Sequence, residues 1–150
     1  MSQISSIYDA MHSRIVGVLT DHKRLPNPYK PIENTQLFLK KGYGVAILEG
    51  NNDNNQLSSQ LGITRDFRVV ITRKMYALEN QGTDKATTEK NLLEDQFLVI
   101  KDFEKNTTLN STASMTEYVS DSGIQTVSQD KDNYLSIETV FRVQYFENLL

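Results

Sequence analysis

The chain has no cysteine, which excludes a disulfide framework, a thiolate metal site and a cysteine nucleophile. Histidine is nearly as scarce. His12 and His22 are the only two in 150 residues, so a histidine-centred metal site or catalytic triad would have to draw its other members from scattered carboxylates and hydroxyls. Long apolar runs are also missing: nothing approaches the ~18 residues that a membrane-crossing helix needs. The opening Met1-Ser2-Gln3-Ile4 lacks the basic and apolar stretches of a signal peptide, and the expectation is a protein made and kept in a cytosol. Positive charge is outweighed, with 16 Lys and Arg against 19 Asp and Glu and a formal net charge of −3. A general grip on nucleic acid needs a basic field that releases counterions, and this composition opposes it.

Several partial motifs fail on the same kind of absence. Gly42-Tyr43-Gly44 lacks the third glycine and the strand-then-helix setting of a dinucleotide loop, and no GKS or GKT tripeptide follows a glycine-rich stretch. Asp53-Asn54-Asn55 and Asp130-Lys131-Asp132 begin like calcium loops of alternating oxygen ligands, but each lacks the glycine at the sixth position. Both read as turns. Asn106-Thr107-Thr108 and Asn110-Ser111-Thr112 match the glycosylation pattern, which has meaning only in a secreted chain.

What is present fits one α/β domain spanning residues 1–150 with a modest core, since 38% of the residues are hydrophobic. Much polar loop, or a surface covered by a partner, follows from so lean a composition. Ile4, Ile7, Tyr8, Met11, Ile15, Val18 and Leu19 recur at the three-and-four spacing of a helix with one buried face. His12 falls at the boundary of that face. A stiff, proline-rich arm follows over residues 20–34, with Pro26, Pro28 and Pro31 within six residues. Within it His22 can orient against Asp21. Gln36 to Leu39 and Tyr43 to Glu49 read as one or two strands interrupted at the glycines.

Polar loops are expected at 51–60 and 105–117, the second of them mobile because it is rich in Ser, Thr and Asn. Between them, Thr64 to Glu79 alternates as a long strand with Phe67, Val69, Ile71, Met75 and Ala77 on one face. At ~3.3 Å per residue such a strand reaches roughly 50 Å, which predicts an overhang from the domain. A second helix is predicted from Thr83-Asp84, whose side chains suit a cap, to Lys105. Its inward stripe reads as Ala86, Leu92, Leu93, Phe97, Ile100 and Phe103, with Lys85, Glu89, Lys90, Glu94, Asp95, Lys101 and Glu104 solvated. Glu117 to Val119 and Ile124 to Val127 flank a hairpin turn at Ser120 to Gly123. The closing strand, Tyr134 to Phe146, turns Leu135, Ile137, Thr139, Phe141, Val143 and Tyr145 to one side.

The predicted fold class is α+β: a mixed or antiparallel sheet with two helices packed on one face and long projecting strands. Arg65, Arg68, Arg73 and Lys74 lie on or beside the long strand, where they suit a salt-bridging subunit surface together with the loop residues Asn51, Asn52 and Asp53. A ring subunit needs strand edges that neighbours can cover and a head-to-tail contact that closes by rotation.

The helix Ile4 to Leu19, the arm Leu25-Pro26-Asn27-Pro28-Tyr29, the strand Thr64 to Glu79, the helix Asp84 to Glu104 and the ending Val143-Gln144-Tyr145-Phe146 together resemble the tail-terminator, or tail-completion, proteins of long-tailed bacteriophages. The likeness lies in order, length and terminal pattern over most of the chain, with no diagnostic motif. It implies a non-enzymatic virion structural protein that forms a ring, with a hexamer expected, caps the tail tube and meets the head connector. Tail-tube and head-connector proteins are then its partners, with no cofactor, metal, membrane or specific nucleic-acid site. Its place is the host cytoplasm during assembly and the virion tail afterwards. Two rivals stand beside it: a small cytosolic hydrolase-like enzyme using Asp21, His22 and a distant carboxylate, and a nucleic-acid-binding accessory protein.

Overall fold

Ser2 opens the first helix, its hydroxyl accepting a hydrogen bond from the backbone N–H of Ser5 at 3.4 Å. In the computed structural model, which describes residues 2–29, 40–52, 59–75, 81–129 and 132–149, this helix is α1, Gln3–Val18. The predicted spacing holds, with Ile7, Met11, Ile15 and Leu19 buried and Ile4, Tyr8 and Val18 packed around them. After it come β1 (Lys23–Arg24), β2 (Lys41–Asn52), β3 (Gln60–Met75), α2 (Gln81–Lys105), β4 (Met115–Asp121), β5 (Gln125–Gln129) and β6 (Asp132–Asn148).

The strands form one open mixed sheet in the order β1-β2-β3-β6-β4, with β5 also paired to β6. Among the described residues only β1 and β2 run parallel. The long strands pair with each other: all 16 residues of β3 find a partner on β6, from Gln60 opposite Asn148 to Met75 opposite Asn133. Alternation along both puts Phe67, Val69 and Ile71 beside Ile137, Phe141, Val143 and Tyr145 on one face. Both helices pack there, contributing Ile7, Met11 and Ile15 from α1 and Leu92, Val99 and Phe103 from α2. The expected two-layer α+β fold is present. The Phe103 and Phe141 rings meet with centroids 4.7 Å apart at a tilt of 56°.

Four local expectations need correction. The glycines do not interrupt β2; they admit the arm. Leu25 donates its N–H to the carbonyl of Tyr43 at 2.7 Å, and a Cβ on Gly42 or Gly44 would stand 2.8 Å from Leu25 Cδ2 or Pro28 Cβ. Ser120 to Gly123 makes no hairpin, because β4 and β5 do not pair with each other. They lie end to end along β6, β4 on Thr139 to Gln144 and β5 on Asp132 to Ser136.

The segment after α2 is a built turn rather than a loose loop. Leu109 is fully buried, and Leu109, Asn110 and Ser111 hold left-handed φ values of 45°, 60° and 66°. Thr112 and Ala113 donate their N–H groups to the carbonyl of Thr108, each at 2.9 Å. This turn also braces α1, since Arg14 donates to both carboxylate oxygens of Asp102 at 2.7 Å and to Asn110 Oδ1 at 3.0 Å.

The fourth correction concerns α2. Its buried face is Thr88, Leu92, Asp95, Gln96, Val99 and Phe103, while Ala86, Leu93 and Phe97 are exposed. At ~100° per residue this is a rotation of roughly a quarter turn from the most apolar stripe. The helix begins at Gln81, and the side chains of Thr83 and Asp84 lie outside those described, as do Gln36 to Leu39, Asp53 and Ala77.

Candidate assembly surface

Arg73 accounts for the rotation of α2. It sits on the helix-facing side of β3 between Ile71 and Met75, and a guanidinium there needs an acid beside it. Asp95 supplies it: Arg73 Nε lies 2.5 Å from Asp95 Oδ2 and Nη2 lies 3.0 Å from Oδ1. His22 Nε2 joins the same carboxylate at 3.1 Å, so the residue expected to work with Asp21 works with Asp95. Asp21 instead stands 80% exposed, 3.9 Å from the Lys41 ammonium.

Burial raises the Asp95 carboxyl, but the hydrogen bonds from His22 and Arg73 outweigh it and hold the group below its usual range. One position along, Gln96 donates to Thr139 Oγ1 at 3.0 Å and to Asp121 Oδ2 at 3.2 Å. These two polar anchors turn Asp95 and Gln96 inward, and Leu93 and Phe97 outward. A general base must reach the proton it takes, whereas the His22 side chain is 3% exposed.

The second histidine is buried as well. His12 is 9% exposed, its Nδ1 lies 3.3 Å from Tyr43 Oη, and its Nε2 has no partner among the described residues. The Tyr8 ring stands edge-on to it with centroids 4.5 Å apart, and Arg24 donates to Tyr8 Oη at 2.7 Å. Burial, reinforced by Arg24 and opposed by Asp9, pushes the His12 pKa down to about 4.

The basic candidates do not gather into one surface. Arg73 is committed to Asp95. Arg65 links the strands on either side of β3, donating to Tyr145 Oη of β6 at 3.1 Å and to the Leu48 carbonyl of β2 at 2.9 Å, and it passes so close to Gly50 that a Cβ there would lie 2.6 Å from its Cζ. Arg68 lies on the opposite face of the sheet, 3.7 Å from Glu138 Oε2. Lys74 donates its backbone N–H to Lys40. Asn51 and Asn52 are exposed at the end of β2, and Asn51 lines a half-open hollow of about 400 Å3 with Glu49, Thr64, Asp66 and Arg142.

The feature that sequence reasoning missed is on the flank of α2. Leu93 and Phe97 are 46% and 56% exposed. Beside them runs β4, an end strand of the sheet, whose Met115, Tyr118 and Val119 are 44%, 37% and 39% exposed. Six of the nine exposed large apolar side chains among the described residues therefore belong to these two elements, Leu98 of α2 being the sixth, although Met115, opposite Gln144 of β6, lies on the sheet face away from the helices. The Tyr118 N–H donates to Glu104 Oε1 at 2.8 Å, and Gln96 reaches Asp121, so β4 runs antiparallel to α2. Glu104 follows Phe97 by seven residues and shares its side of the helix. The one signal available in the sequence was Arg73 itself, a charge set within an apolar strand face.

No family model matches the chain, and no curated protein matches it significantly. Among the described residues no helix is long and apolar enough to cross a membrane.

Proposed function

We propose that the protein is a structural assembly subunit that forms a ring, caps a phage tail tube and joins it to the head connector. The observation that carries the assembly part is the exposed apolar flank of Leu93 and Phe97 beside the open β4 edge. The Asp95 and Gln96 anchors leave Leu93 and Phe97 in water, and exposed apolar side chains beside a strand edge that no described residue pairs suit a surface that another chain covers. The tail-specific part comes from the resemblance in element order and length. Size-exclusion chromatography with light scattering, over a concentration series and with added tail-tube protein, tests both parts. Ring-sized assemblies are expected; a strict monomer under every condition, with no shift on adding tail-tube protein, would refute the reading.

A further inference from the structure

We propose that the α2 flank and β4 edge of one copy receive the opposite, basic end of the sheet of a second copy. The inference rests on the reading of the chain as a self-assembling subunit and assigns its interface. β4, Met115–Asp121, carries two exposed acids, Glu117 and Asp121, and no base, and Glu104 stands at its edge. The other end strand is β1, which consists of Lys23 and Arg24, both exposed, with Lys40 and Lys41 beside it at the start of β2. Arg24 is partly engaged by Tyr8, and Lys41 lies near Asp21; Lys23 and Lys40 are exposed beside them.

The two end strands thus carry opposite charge, with Arg142 opposite Glu117, Lys101 and Lys105 exposed on α2, and Asp21 exposed beside β1 as the groups of the other sign nearby. Two β4 edges meeting symmetrically would set the acids Glu117 and Asp121 of one copy against those of the other, a like-charge contact that disfavours it. Acidic end against basic end is attractive, and a contact between two different patches repeats from copy to copy until rotation closes it into a ring. Leu93 and Phe97 supply the apolar centre and the charges the rim. In the isolated subunit the Glu104 carboxylate caps the Tyr118 amide at 2.8 Å, guarding an edge that a neighbour's backbone covers in the assembly.

Sedimentation velocity over a concentration series tests the assignment, using the full chain, Phe97→Asp, Lys23→Glu, Glu117→Lys, the Lys23→Glu/Glu117→Lys double variant, and Leu149→Asp as a control elsewhere on the surface. Phe97→Asp is expected to weaken self-association on the order of 30-fold, the loss typical of a central anchor. Each single charge reversal weakens it, the double reversal restores it, and Leu149→Asp leaves it unchanged. Circular dichroism melts check that each variant folds, and Leu93→Lys replaces Phe97→Asp if that one does not. Normal association of the folded Phe97 or Leu93 variant overturns this interface while leaving self-assembly standing. So does a double reversal that fails to restore association, or a symmetric dimer that Glu117→Lys strengthens. A wild-type chain that stays monomeric throughout overturns both.

Discussion

Acidification should destabilise this protein through His12 before most of its carboxylates respond. In the unfolded chain the imidazole takes up its proton at its ordinary pKa of 6.5, whereas burial in the fold, with Arg24 facing it from β1 and only Asp9 opposing, delays uptake to about 4. The folded state therefore prefers the neutral ring. Its contribution is complete above pH 6.5, is lost progressively as the pH falls from 6.5 to 4, and does not decline further below that. The interval of roughly 2.5 on the pH scale, at about 1.4 kcal/mol per pH unit, sets the loss at up to about 3 kcal/mol, against the ~5–15 kcal/mol of an ordinary domain. Urea unfolding at a series of pH values between 7.5 and 4, run in parallel on wild type and His12→Leu, isolates the histidine because the other titrating groups are common to both. His12→Leu is expected to be less stable at pH 7.5, where Tyr43 loses its 3.3 Å partner, and to close the gap as the pH falls. A constant difference between the two proteins across the range would refute this account of His12.

Other consequences follow from single contacts. Asp95→Ala leaves Arg73 and His22 without their shared acid and should cost about 3–5 kcal/mol in chemical denaturation, while Arg73→Met with Asp95→Leu recovers much of that loss. Gly44→Ala places a methyl 2.8 Å from Pro28 Cβ and should lower stability by ~1–3 kcal/mol by lifting the arm from β2; hydrogen exchange at the Leu25 amide would rise with it. Ser111→Gly removes the Cβ penalty at a φ of 66° and should raise the melting temperature, by up to about 1 kcal/mol in stability. A fall in the melting temperature would mean that the left-handed turn is not strained.

The frame of the fold was legible because it follows short-range periodicities. The α1 face, the core alternation of β3 and β6, and the two-layer architecture all emerge from which residues recur every second or every third and fourth position. The rotation of α2 was not, because Leu93 and Phe97 offer a more apolar stripe than the face actually used. What decides the rotation is a pair of long-range polar bonds, Asp95 to Arg73 and Gln96 to Thr139, and no local spacing encodes which helix will meet which strand. Arg73 set among Ile71 and Met75 was the available hint that an acid must face it. The glycines misled for a related reason: Gly42 and Gly44 resemble strand breaks in isolation and become contact points only once Leu25 and Pro28 lie against them. Leu109 likewise sat in a stretch whose composition reads as loop, yet it is the buried anchor of the turn after α2. The same rotation that hid Asp95 from sequence reading is what puts the candidate assembly surface in water.

Whether copies of this chain join through unlike ends of one sheet can be seen by negative-stain imaging of the purified protein across a concentration series. Closed rings are expected in wild type, and in Phe97→Asp single subunits at concentrations where wild type forms rings. Uniform monomers in wild type at every concentration would contradict such joining.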